Sequence, residues 1–149
     1  MKHIFTTILF ILTISFSATS QILKPVKWTT SVKKTSDTEY TLIATATIDS
    51  GWHLYSQTVP ENGPIPTTFS FKGNDNYLKK GNTKEEKGHE IDDKVFNMRI
   101  KYFETKATFK QRIKLKTTDN FEIKAIVEFM VCNDSQCLPP NEIDLVFKL

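Results

Sequence analysis

Apolar and polar residues alternate one by one along most of this chain. Tyr40, Leu42, Ala44, Ala46 and Ile48 form one series, with threonines between most of them. Ala107, Phe109, Ile113 and Leu115 alternate with Thr108, Lys110, Arg112 and Lys114. Phe121, Ile123, Ala125, Val127, Phe129 and Val131 make the longest series, and Ile143, Leu145 and Phe147 make a short last one. A period of two puts apolar side chains on one face of a pleated strand and polar ones on the other. Shorter candidates lie at Val26–Val32, Thr67–Phe71 and Met98–Phe103, and no window of about ten residues carries a helical stripe. Asp49-Ser50-Gly51, Glu61-Asn62-Gly63-Pro64, Gly73-Asn74-Asp75-Asn76 and Thr118-Asp119-Asn120 separate the runs as turns. Roughly seven to nine short antiparallel strands so spaced predict an all-β, immunoglobulin-like sandwich of two sheets.

One segment departs from this rhythm. From Lys79 to Lys94 the chain is mostly charged and polar, with Gly81 and Gly88 and few apolar residues. It is too polar for a core strand and reads as a long surface excursion. Such an excursion is either a solvated loop or a lid or binding element.

The N-terminus reads as an export signal. Lys2 and His3 precede an apolar run from Ile4 to Phe16, and Ala18 and Ser20 stand where a cleavage site needs small residues. A run of thirteen residues falls short of the roughly 20 that a spanning helix requires. Cleavage near Ser20 would release a periplasmic chain of residues 21–149, a length that suits one domain. A domain of that size buries roughly two thirds of its unfolded surface, so it does not need a disulfide to hold a core. The whole chain has 20 Lys and Arg against 17 Asp and Glu. These charges are spread along it without a basic stripe, and nothing in that distribution supports nucleic-acid binding.

Cys132 and Cys137 are the only cysteines, separated by Asn-Asp-Ser-Gln and followed by Leu138-Pro139-Pro140. Cys132 lies at the end of the longest alternating series, so a short connection lets the two sulfurs face each other. An oxidising compartment permits a disulfide. Closing a loop of about six residues stabilises by roughly 2 kcal/mol in the chain-entropy model, against nearly 5 for about 100 residues. The pair is therefore a weak staple and a plausible switch, and the spacing by itself leaves both readings open.

Three segments in fixed order resemble a known family. They are Gly51-Trp52-His53-Leu54-Tyr55-Ser56, Gly63-Pro64-Ile65-Pro66-Thr67 and Val131-Cys132-Asn133-Asp134-Ser135-Gln136-Cys137-Leu138-Pro139-Pro140. Together they are similar to the N-terminal periplasmic domain of the thiol–disulfide interchange protein DsbD, over about Trp28 to Phe147. The resemblance implies an immunoglobulin-like sandwich that takes electrons from a membrane-embedded partner and passes them to oxidised exported proteins. It implies that Cys137 forms the mixed disulfide and that Cys132 resolves it. It also implies a cap aromatic at Phe96, with Tyr55 and His53 lining the same site, and no cofactor. The sequence ends at Leu149 without the membrane and thioredoxin-like parts of the full-length family proteins, so a separate membrane-embedded reductase is the implied electron source.

Other polar residues carry weaker signals. His53, His89 and the cysteines could in principle ligate a metal, but two scattered histidines do not define a site, and no metal is assigned. A protonated His53 near a cysteine would favour its thiolate; a half-buried histidine at a turn is the plainer reading. Trp28 and Trp52 read as packing. No phosphate-binding glycine loop or serine-nucleophile elbow is present. Two functions follow as expectations: a periplasmic thiol–disulfide exchange domain, and, as its rival, a non-enzymatic exported binding module whose disulfide is a brace.

Overall fold

The computed structural model describes residues 23–119 and 121–149, so the signal segment and its cleavage site at Ser20 lie outside the described residues. All eleven elements among the described residues are β-strands, and every pairing between them is antiparallel. One layer is a four-stranded sheet in which β1 (Val26–Lys34) pairs with β2 (Glu39–Ile48), β2 with β8 (Lys106–Leu115), and β8 with β5 (Tyr77–Glu85). The opposing layer consists of two ladders. In the first, β9 (Glu122–Phe129) lies between β11 (Asn141–Lys148) and β4 (Thr68–Phe71). In the second, β10 (Val131–Cys132) pairs with β3 (His53–Tyr55), β3 with β7 (Met98–Glu104), and β7 with β6 (His89–Asp93). Met130 alone separates β9 from β10, so one run of chain serves both ladders.

The alternation predicted these faces. Leu42, Ala44, Ala46 and Ile48 of β2 and Ala107, Phe109 and Ile113 of β8 are buried against Ile123, Ala125, Val127 and Phe129 of β9 and Leu145 and Phe147 of β11. The intervening threonines and lysines point outward. Phe109 sits in an aromatic cluster, its ring centroid 5.7 Å from Trp28, 5.0 Å from Phe69 and 5.7 Å from Phe103. Trp28 and Trp52 both pack on this core, as the sequence suggested. At one edge the layers are joined by Thr30, whose hydroxyl donates to the Val146 carbonyl of β11 at 2.6 Å.

The segment Lys79–Lys94 is not a loop. It supplies most of β5 and all of β6, each the outermost strand of its ladder. The edge position explains the missing periodicity, because an edge strand that covers little of the core needs no apolar face, and charge along it discourages pairing with another chain. β5 also bulges between Lys80 and Lys84, where Gly81 takes a φ of 68°. Gln111, almost fully buried, serves this bulge: its amide N–H donates to the carbonyls of Lys80 and Gly81, and its Oε1 accepts from the Thr83 hydroxyl. At the end of β5, Glu85 accepts from Ser56 Oγ at 2.6 Å and from the Gln57 N–H at 2.8 Å, and it pairs with Lys101 of β7. These bonds tie the edge of one layer to the other.

Core membership has a measurable consequence. Phe109→Ala removes the centre of the aromatic cluster and should destabilise the domain by about 3–5 kcal/mol, read as a lower midpoint in urea unfolding.

Candidate redox site

β3 and β10 show how the site is separated from the core. Leu54 is paired with Val131, and both side chains enter the main core. One residue along, His53 is paired with Cys132, and both point to the opposite face, because strand side chains alternate. That outer face has a small core of its own: Tyr55, Ile100, Tyr102 and Cys132 are buried there, with Val59, Phe96, Met98, Met130 and Cys137 packed against them.

A short hairpin brings the cysteines together. Asn133 N–H donates to the Gln136 carbonyl and Leu138 N–H to the Val131 carbonyl, so Cys132 and Cys137 face each other between these two bonds. Facing residues without mutual hydrogen bonds are the closer kind of antiparallel pair, and here the Cα atoms are 4.0 Å apart with the sulfurs bonded at 1.96 Å. The Asn133 side chain shapes the turn, its Oδ1 accepting from the Ser135 and Gln136 N–H groups at 2.9 and 2.8 Å. Cys132 is fully buried, whereas Cys137 is partly exposed. One sulfur is sheltered by the sheet and the other lies nearer solvent.

Phe96 lies in the turn between β6 and β7, and its ring meets Tyr55 edge-on at 5.8 Å. Asp93 holds this turn. Its Oδ1 accepts the N–H groups of Val95 and Phe96 at 2.8 and 3.0 Å, while its Oδ2 accepts the Tyr55 hydroxyl at 2.9 Å. Burial raises the Tyr55 pKa far above the ordinary tyrosine value, and the bond to Asp93 raises it further, so the hydroxyl keeps its proton and donates. The His53 ring lies 4.6 Å from that of Tyr102, and its Nε2 is 3.3 Å from the Tyr55 hydroxyl and 3.7 Å from Asp93 Oδ2. A narrow cleft of about 50 Å³ separates the Phe96 turn from the cysteine hairpin, lined by His53, Asp93, Val95, Asn133 and Asp134.

Cys132, Cys137, Phe96, Tyr55 and His53 therefore converge on one face of one small sheet. His89 does not join them: it is exposed on β6, opposite Tyr102 and two strands away from His53. Sequence reasoning missed the part played by Asp93. An aspartate two and three residues before the N–H groups that it binds is a recognisable turn former, but its bond to Tyr55 joins residues 38 apart and has no local signal. Met98 and Met130, which pad the same cluster, were equally hidden.

Burial lowers the His53 pKa below its ordinary 6.5 and outweighs the opposing effects of Asp93, Asp134 and Glu104. At neutral pH, with the disulfide closed, the imidazole is uncharged. The stability sign follows. Below the unfolded value of 6.5 the unfolded chain takes up a proton at this residue that the folded one resists. The contribution of His53 is thus fully present above 6.5 and is lost as pH falls through the lower folded value. Unfolding midpoints measured at pH 7.5 and pH 5 should differ more for the parent than for His53→Gln.

The family model described as "Thiol:disulfide interchange protein DsbD, N-terminal" matches residues 19–147. No curated protein matches the sequence. The reduced DsbD N-terminal domain from Neisseria meningitidis superposes with a TM-score of 0.56 at 16% identity, covering 85% of this chain and 90% of that one. The complex between the DsbD N-terminal and PilB N-terminal domains of the same organism gives 0.55 at 15% identity, covering 85% and 87%. The N-terminal periplasmic domain of ScsB from Proteus mirabilis gives 0.53 at 14% identity, covering 84% of this chain and 48% of that one. These likenesses carry the fold, an immunoglobulin-like antiparallel β-sandwich. The match over residues 19–147 carries the membership, and this chain belongs to the family of DsbD N-terminal domains.

Proposed function

We propose that this chain is a periplasmic thiol–disulfide exchange domain working through Cys132 and Cys137. The observation that carries the reading is the disulfide's position: on the outer face of a sheet, beside the Phe96 turn, with one cysteine buried and the other partly exposed. A brace between the layers would instead cross the main core. In the reduced protein, the Cys137 thiolate attacks a disulfide of an oxidised exported protein, forming a mixed disulfide and releasing one partner thiolate. The Cys132 thiolate then attacks Cys137 Sγ, which restores the internal disulfide and frees the second partner thiolate. Two electrons pass to the partner in this cycle, and no cofactor is needed. A membrane-embedded reductase returns them by the reverse exchange. The domain begins at Gln21, after removal of residues 1–20 as a signal peptide. The neisserial complex of a DsbD N-terminal domain with a PilB N-terminal domain supports a protein partner for the pair.

The roles of the sulfurs are separable. Cys132→Ser should trap a long-lived mixed disulfide through Cys137, since no thiol remains to resolve it, and Cys137→Ser should trap little. Non-reducing electrophoresis of periplasmic extracts, with bands identified by mass spectrometry, reads the difference. Equal trapping would remove the assignment of roles, and no trapping by either variant would favour the binding module with a braced hairpin.

Phe96 is the proposed shield. Phe96→Ala should raise the alkylation rate of the reduced cysteines while costing well under the roughly 3–5 kcal/mol of a core phenylalanine. An unchanged alkylation rate, or a loss of core size in urea unfolding, would assign Phe96 to packing.

A further inference from the structure

The outer face of the β1–β2–β8–β5 sheet gathers charge that the sequence scatters. β8 presents Lys106, Lys110, Arg112 and Lys114 on this side, and the register sets Lys80 and Lys84 of β5 opposite Arg112 and Lys110. Lys27 and Lys33 of β1 reach the same face, opposite Thr47 and Thr41. All eight are exposed. Two carboxylates answer them: Glu39, between Lys80 at 3.6 Å and Arg112 at 3.5 Å, and Glu86 just beyond β5. The whole chain, by contrast, holds 20 Lys and Arg against 17 Asp and Glu. The remainder of the molecule is therefore acidic on balance, and the two layers differ in sign.

The chemistry between the cations narrows what could cover them. Thr41, Thr45, Thr47 and Thr108 fill the intervening positions, Ile43 is half-buried, and Leu78 is the one exposed large apolar side chain. No aromatic residue faces outward on these strands among the described residues. A protein interface has an apolar or aromatic centre, and a single-stranded nucleic-acid site stacks bases on aromatic rings. A broad sheet face carrying spaced cations instead matches a broad surface of spaced anions. Toward the β5 edge of this face, the β5 bulge opens a depression of about 480 Å³ lined by Thr41, Lys80, Gly81, Lys84, Lys110 and Arg112, with four cations around a space large enough for a phosphate group.

We infer that this face docks on an anionic phospholipid surface, with a headgroup phosphate seated in the depression over the β5 bulge. Each Lys or Arg near such a surface adds a small, salt-sensitive attraction, so the affinity comes from their number. The disulfide lies on the outer face of the opposing layer, so the docked domain presents Cys137 and the Phe96 turn to soluble exported proteins, and exchange with the membrane-embedded reductase takes place in the undocked domain. The inference does not rest on the exchange reading, and neither stands or falls with the other.

Protein beginning at Gln21, which retains every strand among the described residues, is sedimented with vesicles of phosphatidylglycerol and phosphatidylcholine or of phosphatidylcholine alone. Binding should require the anionic lipid and should weaken at least about tenfold between about 0.05 and about 0.5 M salt. Lys84→Glu with Lys110→Glu should abolish it. Lys72→Glu with Lys124→Glu, the same charge change on the other layer, should leave most of it. Urea unfolding checks that each variant is folded, and Lys84→Gln with Lys110→Gln, which introduces no new charge, should weaken binding by a smaller factor. Failure of the parent to bind anionic vesicles, equal loss in both charge-reversed variants, or capture of duplex DNA without capture of vesicles would each overturn the proposal.

Discussion

Burial of alternate side chains along the run from Phe121 to Cys132 governs much of this molecule. Ile123, Ala125, Val127, Phe129 and Val131 all enter the main core. The phase carries through Met130 although the ladder changes there, so Cys132 must emerge on the other face. A one-residue slip in this strand would drive the cysteine into the core and expose the valines and Phe129. The hydrophobic effect that assembles the sandwich is thus the same effect that delivers the disulfide to the outside of the small sheet. At roughly 25 cal/mol per Å² of apolar surface, several fully buried residues on one strand make that slip prohibitive.

The site has its own, smaller hierarchy. A buried carboxylate is costly unless its oxygens are hydrogen-bonded, and Asp93 meets that condition by binding two N–H groups of the Phe96 turn and the Tyr55 hydroxyl. The turn is held by these bonds and by the contact of Phe96 with Tyr55, while its neighbours Lys94, Val95 and Asn97 are exposed. Segments with few buried contacts open at lower free energy than core strands. A turn on such a segment can move while the sandwich beneath it stays intact, which suits the shielding role proposed for Phe96. The neutral His53 contributes packing and polarity between Tyr55 and Tyr102.

Edges and faces handle charge differently. The outermost strands β5 and β6 carry lysines and acids along them, which protects an unpaired edge from another chain's strand. The same lysines of β5, placed beside those of β8, also complete a basic face. A single choice of residue type therefore serves solubility at the edge and concentrates potential on the sheet.

Much of this was legible in the sequence by itself. The alternation determined which apolar residues of β2, β8, β9 and β11 are buried, because a period of two is local and needs no knowledge of the partner strand; it did not show that Gln111 is buried among them. The spacing of the cysteines and the turn chemistry between them determined that the hairpin could close, and the three quoted segments pointed to the family that the match over residues 19–147 establishes. The polar stretch Lys79–Lys94 reads as a loop in the sequence but forms edge strands, since an edge strand takes its shape from the ladder bonds of its neighbour and carries no pattern of its own. Tertiary structure alone decided that Asp93 would join Tyr55 across 38 residues. It alone decided that cations scattered from Lys27 to Lys114 would share one face. Both depend on strand order and register, which bring together residues far apart in the chain, and no local periodicity encodes them.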